Sequence, residues 1–394
     1  MPTDSHSYDL LVIGGGISGL GIAYEGARRG LDTVLLEKGT CCRATSDNSM
    51  RIIHGGLRYL QSLDIRRTLE SLRAQSDLLL QYSSFVKPLA CVMPLGRFGL
   101  KSRWPVWAGI QFYNQLASWV IPSTMRAARI IAADEVDRRI DVLKGQAPYG
   151  ALVWHDAIVP QVREFALRLQ SDAASYGAKI LEGCEVLKIK RQGEAFEVSL
   201  RQAQGLTAMQ ARVLVDASGP WLGRIPVEPP FKRKRAPRGW TKAFNIILNK
   251  QVDEVYAIGV SGGRGRLFFT TPREKVSVIG TFHHAFHDNP DNLTVSEQEI
   301  SEALCAYQQA MPRVKLSLSD VSAVEAGVLP IKRDRPDMPV MYGVEQIHDY
   351  DGQIEVLSTK YTTFQVQARR VIEKIVGYGK GADAVVCEST CTKT

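Results

Sequence analysis

Residues 8–19, YDLLVIGGGISG, decide the fold. The apolar run Tyr8–Ile13 is typical of a buried parallel strand, and three glycines follow it at positions 14, 16 and 19. A helix is predicted from Ser18 to Arg29, where Gly30 ends it, and Thr33–Glu37 predicts the next strand. This strand–turn–helix–strand order is a βαβ unit, and it predicts an α/β fold with a parallel sheet.

The spacing Gly14-x-Gly16-x-x-Gly19 is that of a Rossmann-type dinucleotide-binding turn. Gly14 permits the tight turn, Gly16 lets the backbone approach a pyrophosphate, and Gly19 lets the helix press on the strand. The first N–H groups of the helix then face the anion. Glu37 ends the second strand, where its carboxylate is expected to accept hydrogen bonds from the ribose hydroxyls. The residues predicted to bind the cofactor here are Gly14, Gly16, Ile17, Ser18, Gly19, Glu37 and Lys38.

Two further segments favour FAD over NAD. The apolar run 213–216 ends in small residues, as in flavoproteins whose third strand returns under the cofactor, and the loop 44–49 offers hydroxyl and amide groups. A single glycine fingerprint leaves no separate NADPH domain, so electrons pass between a non-covalent FAD and a bound substrate. The cofactor-binding residues predicted from these segments are Thr45, Ser46, Asn48, Ser49, Val186, Ala217, Ser218 and Gly219.

The composition is that of a globular protein, since 45% of the 394 residues are hydrophobic and 23% are charged. The length predicts two domains, interleaved along the chain. No apolar run reaches about 18 residues, and only a short polar stretch precedes Tyr8, so neither a spanning helix nor a signal peptide is expected. Seven scattered cysteines without a C-x-x-C pair favour a reducing cytoplasm. Cys41 and Cys42 adjoin the cofactor loop and are interpreted as bystander thiols.

The formal net charge of +8 fits an anionic substrate, a membrane surface or nucleic acid. No nucleic-acid motif accompanies it, so no nucleic-acid partner is expected, and the basic stretch 232–235 with Arg238 is interpreted as a solvated loop beside the active site. The segment 104–125 has no charged residue and carries polar side chains on one helical face. It is equally typical of a helix in a membrane interface and of a helix packed on a substrate domain.

Hydrophobic periodicity predicts the remaining elements. Helices are expected over 64–81 and 162–176, from about 363, and over 297–311, where Ser296 and Glu299 form a capping-box pattern. Strands are expected over 179–188, 195–201 and 213–217, and residues 244–282 alternate as antiparallel strands do.

The run ATSDNSMRIIHGGLRYLQ, residues 44–61, resembles the segment after the fingerprint in FAD-dependent glycerol-3-phosphate dehydrogenases of the D-amino-acid oxidase-like superfamily. The resemblance spans nearly the whole chain; its other segments are VLVDASGPWL (213–222), GRLFFTTP (265–272), VSVIGT (276–281), AGVLPI (326–331) and TKYTTF (359–364). It implies a D-amino-acid oxidase (glutathione-reductase-2-like) fold. The FAD domain is then expected at 1–85, 150–220 and 325–394, and an antiparallel substrate domain at 86–149 and 221–324.

The chain also departs from this family. Leu329 stands where the family has an arginine that helps to hold substrate phosphate, and Ser358 and Thr359 replace a pair of glycines. The acidic residue expected after the IGT strand is missing, with His283 and His284 close by. Longer members carry a further C-terminal helical domain. The resemblance therefore implies that this chain has the FAD site of the family, whereas it does not identify the substrate.

The Asn48-Ser49 and His54 pattern also resembles glycerophosphate oxidases and L-2-hydroxyglutarate dehydrogenases, which implies oxidation of secondary alcohols that bear an anionic group. Such a reaction transfers hydride from the C–OH carbon to flavin N5 and needs a base, for which an imidazole titrating at about pH 6.5 is suited. His54 is the predicted base; alternatively it only hydrogen-bonds FAD. Lys360, Thr362 and Thr363 at the start of the last helix are expected to stabilise charge on the reduced ring. The predicted substrate ligands are Arg58, Tyr59, Arg266 and Arg333.

The sequence thus predicts a cytoplasmic FAD-dependent dehydrogenase or oxidase of a small, anionic, hydroxylated compound, with oxygen or a quinone as electron acceptor. A peripheral contact with the inner face of the membrane through 104–125 is an open alternative to the packing of that segment on the substrate domain. Three alternatives stay open. One is an amine or amino-acid oxidase of the same fold, and another is a biosynthetic tailoring oxidase that acts on a larger metabolite. The third is a non-catalytic flavin-binding protein.

Overall fold

The computed structural model describes residues 3–120, 125, 127–229, 237–263, 267–333 and 339–378. The predicted substrate ligand Arg266 and the basic stretch 232–235 lie outside these residues. The described helices are α1 Ile17–Arg28, α2 Ile65–Gln81, α3 Arg103–Ser118, α4 Ala133–Arg139, α5 Val162–Ser175, α6 Glu297–Ala310 and α7 Phe364–Tyr378.

The described strands form two large sheets. In chain order they are β1 Thr3–Ile13, β2 Thr33–Leu36, β3 Ile52–Ile53, β4 Lys87–Pro94, β5 Arg129–Ile131, β6 Ala151–Ile158, β7 Lys179–Leu181, β8 Glu185–Gln192, β9 Ala195–Gln202, β10 Gly205–Asp216, β11 Val227–Glu228, β12 Gly239–Leu248, β13 Tyr256–Ser261, β14 Leu267–Arg273, β15 Val276–Phe286, β16 Val321–Arg333, β17 Val340–Met341, β18 Gln346–Tyr350 and β19 Gln353–Leu357.

The first sheet is built around the predicted βαβ unit. Its parallel part runs β19–β10–β1–β2–β7, so β1 lies between the second strand of the unit and the returning strand β10. Strands β9 and β8 continue from β10 as an antiparallel meander. The sequence-based prediction of the unit and of the returning strand is confirmed. The strand predicted over 179–188 is wrong in one respect, because Gly183 adopts a positive φ of 64° between β7 and β8 and divides it.

Helices α1, α5 and α7 pack on this sheet, and their apolar faces share one core with β1 and β10. Phe165 and Phe364 are almost fully buried in that core. Helix α7 approaches α1 closely because α1 has glycine at position 21, where a Cβ would lie 2.7 Å from the Phe364 ring. This contact holds the start of α7 beside the glycine turn.

The second sheet is mainly antiparallel and runs β17–β16–β12–β15–β14–β13–β4–β6–β3. Helix α6 covers part of it, begins at the predicted Ser296–Glu299 capping box and buries Tyr307 in the sheet's core. Strand β6 is buried at every position except His155, which is partly exposed, although its neighbouring strands are antiparallel to it. A strand buried on both faces is typical of parallel sheets, and its sequence therefore does not reveal which sheet it joins.

Sheet membership differs in part from the predicted domain ranges. Strands β3, β6 and β16 pair in the second sheet, although their residues fall within or across the ranges 1–85, 150–220 and 325–394 predicted for the FAD domain. The chain thus crosses repeatedly between the two sheets. The division into two domains with those boundaries stays a prediction.

Within the uncharged segment 104–125, the residues up to Ser118 belong to α3, which buries Val106, Ile110, Tyr113 and Leu116 against the second sheet. Residues 121–124 of that segment lie outside the described residues. The other face of α3 exposes aromatic rings, and relative exposures are 77% at Trp104, 50% at Trp107, 43% at Phe112 and 73% at Trp119 just beyond the helix. The helix therefore packs on the protein along one face and presents a large apolar surface along the other. Among the described residues, no helix is both long enough and apolar enough to cross a membrane.

Substitution of Gly19 tests the turn that organises the first sheet. An added Cβ would lie 1.8 Å from the Gly14 carbonyl oxygen, a backbone atom that cannot yield without opening the turn. We expect Gly19→Ala to lower the free energy of unfolding by about 3 kcal/mol or more, measured by chemical denaturation. Gly109→Ala is the control: no atom lies within 4 Å of its added Cβ in the middle of α3. This control variant is expected to raise the free energy of unfolding by about 0.5–1 kcal/mol. Equal stabilities for both variants would contradict the close approach.

Candidate active site

The glycine turn leaves the N-terminus of α1 open to a large cavity. Gly14 has a φ of 99° and donates its N–H to the Leu36 carbonyl at 2.8 Å. Gly16 is the N-cap of α1 and offers no side chain to its N–H groups. A Cβ at Gly16 would meet only the Ser46 Oγ, at 3.4 Å, so the space in front of the turn belongs to the cavity. A helix N-terminus that opens on the cavity behind a glycine without a side chain fits the pyrophosphate of a dinucleotide.

Glu37 and Ser46 hold the turn in this shape. The Glu37 carboxylate accepts from the Gly15 N–H at 2.7 Å and from the Gly39 N–H at 2.8 Å. Ser46 Oγ accepts from the Ile17 N–H at 3.0 Å. Each carboxylate oxygen keeps further lone pairs, so Glu37 can still accept from ribose hydroxyls.

The loop 44–51 is tied to the second sheet by an ion-pair network. Arg51 Nη2 donates to Asp47 at 3.2 Å and to Glu325 at 2.8 Å. Glu325 also accepts from Arg273 at 2.6 and 3.1 Å, and Asp47 from Arg163 at 3.1 Å. Arg51, Asp47, Glu325 and Arg273 are nearly buried, and each charge has an opposite partner, as buried ions require. The network fixes the predicted cofactor loop against β14 and β16.

The loop 44–51 also makes neutral contacts with the second sheet. Thr45 Oγ1 donates to the Val328 carbonyl at 3.3 Å and accepts from its N–H at 3.2 Å. The buried Asn245 amide donates to the Asn48 carbonyl at 3.2 Å. The predicted cofactor loop is thus bonded to the second sheet and, through Ser46, to the start of α1.

The cavity has a volume of about 2010 Å³, which exceeds the typical size of a single small-molecule site and leaves room for a dinucleotide together with a substrate. Most residues predicted from the sequence line it. These are Gly14, Gly16, Ile17, Ser18, Glu37, Lys38, Thr45, Ser46, Asn48, Ser49, His54, Arg58, Tyr59, Val186, Ala217, Ser218, Gly219, Lys360 and Thr362.

Among the predicted residues that the structure describes, three do not line the cavity. Gly19 lies behind the turn, where its role is the close approach to Gly14. Thr363 is buried at the start of α7, where its carbonyl accepts from the Gln367 N–H. Arg333 is exposed at the end of β16, beside the edge strand β17, and does not line the cavity with Arg58 and Tyr59.

His54 joins the two sheets at the centre of the cavity. Its main-chain N–H donates to the Thr362 hydroxyl, just before α7, at 3.0 Å. Its ring Nδ1 lies 3.1 Å from the Asp156 carboxylate on β6. The ring remains 53% exposed, so its other nitrogen is accessible from the cavity. The pair combines a buried carboxylate with an accessible imidazole, an arrangement that can hold and move a proton.

The sequence analysis missed Asp156. The residue is 3% exposed and lies 102 positions from His54, in a strand that is buried at nearly every position. Its charge within a strand that is apolar except for His155 is the one signal that was available, because carboxylates are rarely buried without a partner.

A second feature missed from the sequence is a pair of cations on the Tyr59 ring. Lys360 Nζ lies 4.8 Å and Arg67 Cζ 4.2 Å from the ring centroid, within the range of cation–π attraction. Arg67 also donates to the Gly343 carbonyl at 2.6 Å. Arg58 is exposed into the same cavity. Positive charge therefore gathers near His54, whereas Leu329 on β16 adds an apolar wall.

The two cysteines beside the turn are buried and protonated. Burial raises the pKa of the Cys42 thiol to about 12 and that of Cys41 further still, with nearby carboxylates adding to the effect. Thiolates are the reactive form of cysteine, so these burial effects agree with the interpretation of Cys41 and Cys42 as bystander thiols.

The chain has relatives of established activity. A glycerol-3-phosphate dehydrogenase of Pseudomonas aeruginosa is 30% identical over 336 residues, which cover 84% of this chain and 63% of that enzyme. A D-erythritol 1-phosphate dehydrogenase of Brucella abortus is 28% identical over 376 residues, which cover 93% of this chain and 73% of that enzyme. The chain thus spans less than two thirds of the length of the Pseudomonas enzyme. These relatives confirm the predicted resemblance to glycerol-3-phosphate dehydrogenases.

The fold is also that of a known flavoprotein. The X-ray structure of a glycerol-3-phosphate dehydrogenase from Bacillus halodurans, complexed with FAD, matches this chain with a TM-score of 0.73 at 18% identity, covering 99% of this chain and 67% of that one. Residues 9–352 match the family described as FAD dependent oxidoreductase. The glycine turn, the open helix N-terminus and the cavity fit the cofactor that this family uses. The chain belongs to the FAD dependent oxidoreductase family.

Proposed function

We propose that the protein dehydrogenates the C–OH group of a small alcohol that carries a phosphate or carboxylate. The observation that carries this proposal is the His54–Asp156 pair, which faces the same cavity as the glycine turn and the cations around Tyr59. Bound FAD supplies the acceptor for the hydride that leaves the carbinol carbon. The protein must then remove one proton from the hydroxyl oxygen and hold the anionic end of the substrate.

His54 is suited to remove that proton. Its ring is accessible from the cavity, its Nδ1 is hydrogen-bonded to Asp156, and its backbone is held by Thr362. When the second ring nitrogen takes the hydroxyl proton, the buried Asp156 carboxylate offsets the positive charge that forms on the ring. The aromatic rings of Phe269 and Trp154 line the same part of the cavity and limit the access of water.

Positive groups favour an anionic substrate. Arg58 and Lys360 line the cavity, and neither has a carboxylate partner among the described residues. Arg67 shares the Tyr59 ring with Lys360 but is also paired with the Asp64 carboxylate at 3.5 Å, so the charge without a described carboxylate partner is that of Arg58 and Lys360. A neutral ligand would leave this charge uncompensated, whereas a phosphate or carboxylate would accept several charged hydrogen bonds. Arg266 stays a proposed ligand outside the described residues.

Leu329 argues for a substrate other than glycerol 3-phosphate. It lies on β16 opposite Thr241 of β12 and faces the cavity, where the resemblance leads one to expect a phosphate-binding arginine. The Brucella relative, named for D-erythritol 1-phosphate, indicates that this family includes dehydrogenases of other polyol phosphates. The apolar wall at Leu329 would be compatible with a longer polyol phosphate, with a hydroxy acid, or with a larger metabolite on which a tailoring oxidase acts.

The exposed face of α3 supports a peripheral membrane contact, which we propose as the route to a membrane quinone. Trp104, Trp107 and Trp119 are at least half exposed on one surface, and Phe98 and Leu100 extend it. Interfacial segments combine such aromatic residues with basic side chains. Here the basic residues are Arg97, Lys101 and Arg103. Without this contact, the proposed acceptor is oxygen or another acceptor in the cytoplasm.

Anaerobic bleaching of the bound flavin tests the proposed reaction. The panel contains glycerol 3-phosphate, longer polyol phosphates, 2-hydroxy acids and amino acids, each followed by the visible absorbance of the holoenzyme. We expect an anionic alcohol to bleach it, and His54→Ala to keep FAD but slow bleaching by about 100- to 10,000-fold. His287→Ala is the matched control, since its side chain is exposed outside the cavity lining.

Each contrary outcome of this panel has a meaning. Bleaching by amino acids alone would replace the proposal with an amino-acid oxidase. Bleaching by dithionite alone would favour a non-catalytic flavin-binding protein. An unchanged rate in His54→Ala would remove His54 from proton transfer.

Leu329→Arg tests the argument about the phosphate. We expect poor turnover of glycerol 3-phosphate by the parent protein. The new arginine should raise kcat/KM by about tenfold to a hundredfold, as expected for one charged hydrogen bond of about 1.5–3 kcal/mol. Leu329→Met, which changes shape without charge, is the control. Efficient turnover by the parent protein would mean that other residues hold the phosphate.

Trp107→Ser combined with Trp119→Ser tests the membrane contact. The double variant should bind vesicles that contain anionic lipid at least about tenfold more weakly than the parent protein, because two interfacial rings are lost. The control is Leu167→Ser with Tyr176→Ser, which removes exposed apolar side chains at α5. No vesicle binding by the parent protein would leave α3 as a part of the substrate domain only.

A further inference from the structure

Asp156 is a buried carboxylate whose described hydrogen-bond partners can all act as donors. One oxygen, Oδ2, lies 3.1 Å from His54 Nδ1. The other, Oδ1, accepts from the Gly55 N–H at 2.8 Å and faces the Gln75 amide nitrogen at 3.5 Å. Burial and this carboxylate together raise the pKa of the neighbouring Tyr113 well above its usual value, so that the phenol stays neutral. The carboxylate is therefore buried, and His54 is the described residue with which it forms an ion pair when the ring is charged.

The orientation of Gln75 is set independently of Asp156. Its Nε2 also donates to the Ile53 carbonyl at 2.8 Å, and a carbonyl can only accept. The amide nitrogen must therefore face both Ile53 and Asp156 Oδ1. The Gly55 N–H at the same oxygen is a fixed backbone donor. Whatever atom occupies the Oδ1 position has to be an acceptor.

A carboxylate accepts at both of its oxygens. The hydrogen bond between Oδ2 and His54 must then be donated by the ring, which places the proton of a neutral imidazole on Nδ1. The lone pair of the ring is consequently on Nε2, the nitrogen that Asp156 does not reach. This assignment follows from the donors that surround Asp156 and needs no hydrogen positions.

We propose that Asp156 is a positioning residue that selects the Nδ1–H tautomer of His54, and thereby makes Nε2 the acceptor of the substrate hydroxyl proton. The inference rests on the proposed function, in which the O–H bond breaks as the Nε2–H bond forms. The two electrons of the broken C–H bond leave as hydride to the bound FAD, and the remaining carbon and oxygen form a carbonyl. Asp156 keeps its charge throughout and faces the imidazolium that results.

Replacement of Asp156 by asparagine separates this role from a structural one. The asparagine carbonyl must take the Oδ1 position, because Gly55 and Gln75 both donate there. Its NH₂ group must then face His54 Nδ1, which has to accept instead of donating. The proton of the neutral ring moves to Nε2, and the nitrogen that faces the substrate can no longer take a proton. Alanine imposes no such choice and leaves both tautomers available.

The order of the two variants is the test. With any substrate that bleaches the flavin, we expect Asp156→Asn to reduce FAD about 1,000- to 10,000-fold more slowly than the parent protein. Asp156→Ala, which imposes no tautomer, should reduce FAD faster than Asp156→Asn. Thermal stability should rank the other way, with the near-isosteric asparagine above alanine. A merely structural Asp156 would make asparagine the better variant in both measurements. Asp134→Asn, on the exposed helix α4, is the control for the substitution itself.

A spectroscopic measurement makes the test independent of turnover. Nitrogen-15 NMR of the histidine side chains in the substrate-free holoenzyme, at about pH 8 where an ordinary imidazole is neutral, distinguishes the two tautomers. His54→Gln identifies the signals of His54. We expect Nδ1–H in the parent protein and Nε2–H in Asp156→Asn.

The results separate this inference from the proposed function. An Nε2–H tautomer in the parent protein, or an asparagine variant at least as active as alanine, would overturn the role of Asp156. A different outcome is that NMR finds the expected tautomers but no alcohol reduces the flavin. That outcome would refute the alcohol-oxidising function and uphold the selection of the tautomer by Asp156.

Discussion

The site depends on one steric constraint, the close approach of Gly19 to the carbonyl of Gly14, where any Cβ would lie 1.8 Å from the oxygen. This contact bends the chain sharply after β1 and aims the N-terminus of α1 along the carboxyl edge of the parallel strands. Strands β10 and β19 end at the same edge, on the other side of β1 from β2. An anion-binding helix end and the start of α7 therefore face one cavity, as expected where ligands bind in open α/β sheets.

The reactive group of the cavity is positioned by both sheets. The backbone of His54 is bonded to Thr362, beside the start of α7 on the first sheet, whereas its ring is bonded to Asp156 on the second. The preceding loop is tied to the second sheet by the buried Arg51–Glu325 pair. A shift of one sheet against the other would thus move the imidazole relative to its carboxylate. This dependence explains why the ion pairs around Arg51 belong to the architecture of the site, although they touch neither the glycine turn nor His54.

Electrostatics divide the cavity into unlike walls. Arg67 and Lys360 share the Tyr59 ring, and Arg58 directly precedes Tyr59 on the same short segment. On the side of β16, Leu329 contributes no charge. The attraction for an anion is therefore concentrated near the 3-10 turn of residues 57–62, and the apolar wall constrains the shape of the substrate rather than its charge.

Local spacing in the sequence determined the βαβ unit, the nature of the cofactor and many of the residues around the glycine turn that line the cavity, because the turn, the helix and the following loop lie within about fifty consecutive residues. The resemblance added His54, Lys360 and Arg58. Only the tertiary structure decided that Asp156 meets His54 across 102 positions, that Arg67 joins Lys360 on one ring, and that Arg333 is exposed and does not line the cavity. It also decided that β6 pairs in the second sheet. These contacts join distant strands and helices, and hydrophobic periodicity records which face of an element is buried but not which partner covers it.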